Sequence, residues 1–360
     1  MEPTYFEKLP SNNLGAKYLD TKQMEANFPD YTNLLDRIEH QRELAKYVAS
    51  FGNSTGCSTA VAIGAISLRR FPQMYDNVFA ILGGRGSGKS SVIQSLHEQM
   101  QNGEDNFDIV FPIIVPELIS DPHCSILGWI MATAEEVIDS IEEQFRQLER
   151  EQGGRWVCDN MHCDPLSFFK DCHLQRNNKL RENYESLKRD CIPDYSFASD
   201  FSYEDAVGIQ VNLSQKQYDL AKNLNTFWND VTTYWKNLKI LQAKKERRDL
   251  SKVKTPLIIL MFDDVDLVPG RSLELLNSTF QYFTNPNIVL ILTAAEKVLN
   301  QVIWTKMLER MIGSNYKSLF TDFYTRAGRQ ERAAQKTSLE SIDRMAREYY
   351  DKVVPPANRY

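Results

Sequence analysis

The chain has 360 residues, enough for one large or two ordinary domains, and its 42% hydrophobic and 25% charged side chains give the balance of a soluble globular protein. A formal net charge of -6 gives bulk electrostatics no pull toward nucleic acid, six cysteines are too sparse for a disulfide framework, and no uninterrupted apolar run reaches the length of a membrane span. The opening MEPTYFEKLP lacks the basic-then-apolar pattern of a secretory leader, so the expected location is cytoplasmic, with no membrane partner.

Residues 1–30 are polar and weakly patterned, and read as an N-terminal arm or surface-packed lead-in. Tyr31 to Phe51 has helical periodicity, with Leu34, Leu35, Ile38, Leu44, Ala45 and Val48 on one side. Ser58 to Arg70 reads as a small-residue-rich core helix. A first strand is predicted near Asn77–Leu82 and a helix over Ser91 to Met100. Phe107 to Val115 reads as a second strand interrupted by Pro112. Leu127 to Glu151 reads as one or two helices, with a charged face of Glu135, Glu136, Asp139, Glu142 and Glu143. Residues 153–213 are irregular, and Ser214 to Arg248 carries a long helical pattern. Pro256 to Phe262 and Asn287 to Leu292 have the composition of buried parallel strands. Helices are expected over Ala294 to Met311 and Lys336 to Lys352.

Short apolar strands alternating with helices predict an α/β protein of three layers with a mainly parallel sheet. The 140 residues between Val115 and Pro256 far exceed a plain crossover. The predicted organisation is an arm (1–30), a first part of the core (31–149), a helical insertion (150–250) and a second part of the core (251–360).

The most specific signal is Gly83-Gly84-Arg85-Gly86-Ser87-Gly88-Lys89-Ser90, which fits G-x-x-x-x-G-K-[ST], the phosphate-binding P-loop or Walker A motif. It follows the apolar run Val78 to Leu82 and opens a helix beginning near Ser91. Loop N–H groups and the helix N-terminus can hold the β-phosphate of a nucleoside triphosphate. In that role Lys89 brings a point charge to the β- and γ-phosphates, and Ser90 brings a hydroxyl to Mg²⁺. Gly83, Gly86 and Gly88 allow close backbone approach, while Arg85 and Ser87 are less constrained. The competing account is a glycine-rich turn with a chance lysine.

The second signal is the strand Leu257 to Phe262 ending in Asp263-Asp264, a Walker B pattern. Asp263 is the expected Mg²⁺ ligand. Asp264 is the expected carboxylate for the attacking water, although it is one methylene shorter than glutamate. Asp266 is a candidate support for the metal shell. Thr293, at the end of the strand beginning at Ile288, is a candidate γ-phosphate sensor or water-positioning residue; an ordinary strand-end cap is the alternative. Phosphoryl transfer also gains from a cation near the γ-phosphate. Arg310 is the leading candidate, followed by Arg326, Arg329 and Arg332.

Two further clusters carry weaker signals. Cys158, Cys163, Cys172 and His173, with His162 and Cys191, offer soft ligands for a structural Zn²⁺. Their spacing departs from standard fingers, and free thiols are the plainer account. Lys244, Lys245, Arg247, Arg248, Lys252 and Lys254 form a basic patch that suits nucleic-acid phosphates or simply a solvated helix end.

GGRGSGKS, the FDDVD strand end and the LILTAAEKVLNQV segment together resemble the AAA+ and related STAND/KAP-type P-loop ATPases. The resemblance covers about residues 30–360, and its two Walker motifs are its specific part. It implies a P-loop NTPase fold with a five-stranded sheet in the order 5-1-4-3-2, with Ala346 to Pro356 turning into the fifth strand. It further implies ATP and Mg²⁺ as ligands, binding between subunits of a homo-oligomeric ring, and a protein effector. FDDVD lacks the common Asp-Glu pair, and the small helical lid that usually follows such a core does not follow here, as in a truncated chain. The large insertion is also similar to that of ATPases of bacterial antiphage defence of the RADAR type. Three functions are therefore in view: an ATP-hydrolysing regulatory ATPase, a nucleotide-gated scaffold with negligible hydrolysis, and a nucleic-acid remodelling ATPase.

Overall fold

The computed structural model describes residues 18–54, 77–102, 107–119, 124–151, 179–191, 203–312 and 329–360. Strands β1 (Val78–Leu82), β2 (Ile109–Val110), β3 (Ile258–Phe262) and β4 (Ile288–Ala294) form one sheet in the order β1-β4-β3-β2, every pair parallel. Nearly all their side chains are buried, which explains why the strands read as apolar runs and not as alternating patterns. β2 is shorter than the predicted Phe107 to Val115 because Pro112 has no N–H for the ladder. Pairing resumes beyond it as a bridge between Ile114 and Phe262.

Among the described residues four strands form where the resemblance implied five. Beside the free edge of β1 there is a two-residue pairing in place of a strand. Ala80 bridges Arg359 in parallel, Leu82 N donates to Tyr360 O at 2.7 Å, and Tyr360 N donates to Ala80 O at 2.8 Å.

Helices cover both faces of the sheet. Phe79, Ile81, Ile259, Met261, Val289 and Ile291 point to the face covered by α1 (Thr21–Asn27), α2 (Tyr31–Ser54) and α3 (Lys89–Asn102). Their neighbours Val78, Ala80, Leu260, Phe262, Leu290 and Leu292 point to the other face. That face packs on α4 (Ile126–Glu151), α5 (Lys179–Asp190), α6 (Tyr203–Lys245), α7 (Pro269–Tyr282), α8 (Glu296–Ile312) and α9 (Arg329–Val353). The period of two is the strand geometry itself.

Several elements differ from expectation. The end of the polar lead-in is the short helix α1, whose Asp20 and Gln23 form a capping box. Its Met24 and Phe28 are buried, and Leu19 N donates to Ser95 Oγ on α3 at 2.7 Å. Two isolated apolar residues in a polar stretch give no period to read. Leu127 to Glu151 is one helix, and its acidic face is not simply solvated. Glu135 accepts from Lys188 Nζ at 2.8 Å and from Tyr184 Oη at 3.0 Å, while Arg181 pairs with both Asp139 and Glu142. From the segment predicted as an insertion, Leu224, Phe227, Trp228, Val231, Leu238 and Leu241 of α6 enter the same core as the sheet. Among the described residues no helix is long and apolar enough to cross a membrane. The predicted helix Ser58 to Arg70 lies outside the described residues.

Candidate functional site

β1 delivers the chain at Leu82 to the C-terminal edge of the sheet, the loop follows, and α3 starts at Lys89. Gly86 and Gly88 have φ of 79° and 88°, a left-handed conformation that glycine takes without strain. Ser87 N donates to Gly84 O at 3.2 Å and closes the turn; Val92 N donates to Gly88 O at 3.0 Å and begins the helix. A Cβ placed on Gly83 would lie 2.4 Å from Ser87 Oγ, so the loop folds tightly over this residue. Gly83 N donates to Ala294 O at 3.2 Å, tying the loop to the end of β4.

The segment Gly84 to Gly88 is exposed, Lys89 is 9% exposed, and Ser90 and Ser91 are half-buried. Lys89 Nζ donates to the carbonyls of Gly83 and Gly84 at 3.0 and 3.1 Å, which folds its charge back over the loop. The first turn of α3 has no acidic side chain to satisfy its dipole, so its positive end faces outward unopposed by a carboxylate of its own.

β4 lies between β1 and β3, and it brings Thr293 against the end of β3. Thr293 is fully buried, and its hydroxyl donates to Oδ1 of Asp263 at 2.5 Å. The backbone N–H of Asp264 is shared between Asp263 Oδ1 at 3.0 Å and Thr293 Oγ1 at 2.8 Å. Asp263 is 1% exposed, and its own N–H donates to Ile114 O at 2.9 Å. Asp264 turns the chain out of the strand in the left-handed region, φ 51° and ψ 46°, which aspartate tolerates better than most residues. Burial, more than any neighbour, pushes the Asp264 carboxyl above its ordinary range. Asp263 adds to this, Lys89 opposes it, and Asp266 and Glu117 add smaller contributions.

The structure thus brings together residues predicted from three separate segments: the loop with Lys89, Asp263 and Asp264, and Thr293. Thr293 enters with its hydroxyl committed to Asp263. Hard oxygen donors from Ser90 and Asp263 suit Mg²⁺, which keeps several waters and takes few protein ligands. No group of three or more His, Cys, Asp or Glu able to hold a metal forms among the described residues. Glu296 is exposed and lies 3.9 Å from Arg359 Nη1.

The other predicted residues are placed as follows. Arg310 lies on α8, while its side chain is outside the described residues, as is Arg326. Arg329 and Arg332 lie on α9 by their backbone alone. Cys158, His162, Cys163, Cys172 and His173 are outside the described residues; Cys191 is half-buried, forms no disulfide among the described residues and packs against the core. The basic patch sits at the start of β3, on the edge opposite Asp263. Within it Arg248 pairs with Glu246 at 2.7 Å and Lys254 with Glu39 at 2.8 Å.

Two residues that carry no motif escaped sequence reasoning. Glu117 occupies the 3-10 turn Pro116–Leu118 after β2, and His97 of α3 contacts Phe111 O at 3.1 Å. The signal for Glu117 was its place one short turn beyond the second strand.

No protein-family model matches the chain, and no curated protein matches it.

Proposed function

We propose that the protein binds ATP with Mg²⁺ and hydrolyses it to ADP and phosphate on a P-loop NTPase fold. The observation that carries this reading is the convergence at one sheet edge of a left-handed glycine loop, Lys89 and the Asp263–Asp264 pair. The parallel bridge between Ala80 and Arg359 at the outer edge of β1 supports reading the sheet as part of a 5-1-4-3-2 order.

In this reading the loop N–H groups and the α3 N-terminus bind the β-phosphate. Lys89 leaves the carbonyls of Gly83 and Gly84 for the β- and γ-phosphate oxygens. Ser90 Oγ and the Asp263 carboxylate would hold Mg²⁺, which neutralises phosphate charge when bound. Thr293 keeps the Asp263 carboxylate in one orientation by its hydrogen bond. A finger arginine, Arg310 or one of Arg326, Arg329 and Arg332, completes the site from a neighbouring copy in a homo-oligomeric ring. The assembly would act in the cytoplasm on a protein effector, with antiphage defence as the biological setting that the resemblance implies.

A nucleotide-gated scaffold is the second reading, favoured by the short side chain at position 264. Nucleic-acid remodelling has less support, since the basic patch lies on the opposite edge and part of it is paired with acids. ATP turnover with Mg²⁺, measured over a protein concentration series, tests all three. Turnover that rises steeply with concentration and vanishes in Lys89→Ala and Asp263→Asn supports the ATPase. Binding without turnover, lost only in Lys89→Ala, establishes the scaffold. Stimulation by DNA or RNA at low salt would revive the third.

A further inference from the structure

Hydrolysis gains from a carboxylate that reaches the attacking water, and Asp264 is a short one on a backbone already turned into the left-handed region. The segment after β2 supplies another. Ile114 N donates to Met261 O and Ile114 O accepts from Asp263 N, both at 2.9 Å, so this segment is clamped to the end of β3. Its far end is clamped as well: Ile119 is buried, and Arg271 Nη2 on α7 donates to Ile119 O at 3.2 Å. Between these anchors Pro116 is buried and starts a single 3-10 turn, which leaves Glu117 exposed at the same sheet edge as Asp264. Its carboxylate makes no ion pair or side-chain hydrogen bond among the described residues. The turn that carries it packs against the turn Val265–Leu267 that directly follows Asp264.

We propose that Glu117 is the carboxylate that orients and deprotonates the attacking water, with Asp264 in a supporting place. This rests on the ATPase reading of the site. In the step, the water oxygen forms a bond to the γ-phosphorus and gives a proton to the Glu117 carboxylate. The bond from the γ-phosphorus to the bridging oxygen breaks, and its electron pair stays on the β-phosphate oxygen of ADP, opposite the charge of Lys89. The proton on Glu117 then leaves to solvent or to the released phosphate. Glutamate is one methylene longer than aspartate and here stands on a turn fixed at both ends, the requirement for a base that must meet a water in one geometry.

The test uses the full chain as wild type, Glu117→Gln, Glu117→Asp and Asp264→Asn, with melting temperature as a folding control. Three quantities are measured: ATP turnover, affinity for AMP-PNP with Mg²⁺, and capture of ADP with aluminium fluoride, which mimics the in-flight phosphoryl group. Glu117→Gln is expected to lower kcat by about 100-fold or more, the contribution of a general base. It should leave AMP-PNP affinity unchanged and abolish aluminium fluoride capture. Glu117→Asp should recover part of the rate, and Asp264→Asn should lose less than Glu117→Gln does. Wild-type turnover retained in Glu117→Gln would overturn this assignment alone. So would a fall in AMP-PNP affinity that accounts for the whole loss of rate. A wild-type chain that binds AMP-PNP and turns over no ATP overturns the ATPase reading itself, and the role of Glu117 with it.

Discussion

Thr293 Oγ1 donates to Asp263 Oδ1 at 2.5 Å, joining the ends of two adjacent buried strands. The same hydroxyl oxygen accepts from Asp264 N, so one threonine fixes both carboxylate residues. Thr293→Val keeps the shape and removes the hydroxyl. It leaves a buried carboxylate short of a donor and should cost about 1–3 kcal/mol of stability in urea unfolding. Mg²⁺-dependent ATP binding should weaken in parallel. Thr293→Ser should restore most of both, and a valine variant as stable as wild type would show the bond to be idle.

Gly83 tests how tightly the loop is built. Gly83→Ala sets a methyl group 2.4 Å from Ser87 Oγ, so the loop must open or Ser87 must move. Nucleotide affinity, read by a fluorescent ATP analogue, should fall by about tenfold, the equivalent of 1.4 kcal/mol. Gly83→Ala/Ser87→Gly removes the obstructing side chain and should recover part of the loss.

At the opposite edge of the sheet Arg42 of α2 clamps the bases of β2 and β3. Its two terminal nitrogens reach both Asp108 oxygens at 2.6 and 2.8 Å, and Nη1 also donates to Thr255 O at 2.7 Å. Asp108 Oδ1 accepts from Leu257 N as well, at 2.9 Å. Arg42→Met leaves the largely buried Asp108 without its cation and should destabilise the fold by about 3–5 kcal/mol. Arg42→Met/Asp108→Asn removes the stranded charge, keeps an acceptor for Leu257, and should be measurably more stable than the single variant.

His97 makes stability depend on pH. Burial holds its imidazole below the ordinary value, while the hydrogen bond to Phe111 O pulls weakly the other way. A carbonyl only accepts, so the neutral ring carries its proton on Nε2. The unfolded chain, with a histidine pKa of about 6.5, takes up the proton first as pH falls. Stability is therefore full above that value and declines as pH falls toward the lower folded value. His97→Gln keeps a donor and removes the titration. The difference in urea midpoint between wild type and variant should change between pH 7 and pH 5; a constant difference would remove His97 as the source.

The strands and the loop were legible because their chemistry is local. Val78 to Leu82, Leu257 to Phe262 and Ile288 to Leu292 are apolar without alternation, and Gly83 to Ser90 demands residues that few other structures need in that order. What failed to show was what depends on a distant partner. Met24 and Phe28 look like polar-arm residues until α3 lies beneath them. Glu135, Asp139 and Glu142 look solvated until α5 brings Lys188 and Arg181. Pro112 signalled an interruption in β2, whereas the resumed pairing at Ile114 needed β3 alongside it.

The sequence by itself determined a parallel α/β core and a glycine-rich loop between strand and helix, because period, composition and glycine spacing act over a few residues. It also named Lys89, Asp263, Asp264 and Thr293 as candidate site residues. Only the tertiary structure decided their relationships. The strand order sets Thr293 against Asp263, gives its hydroxyl to that carboxylate, and carries Glu117 to the same edge on a turn anchored by Ile114 and Ile119. Such relationships join distant residues, 149 positions apart in Asp108 and Leu257 and 152 in Ile119 and Arg271, and no local pattern encodes which distant carboxylate a buried group will meet.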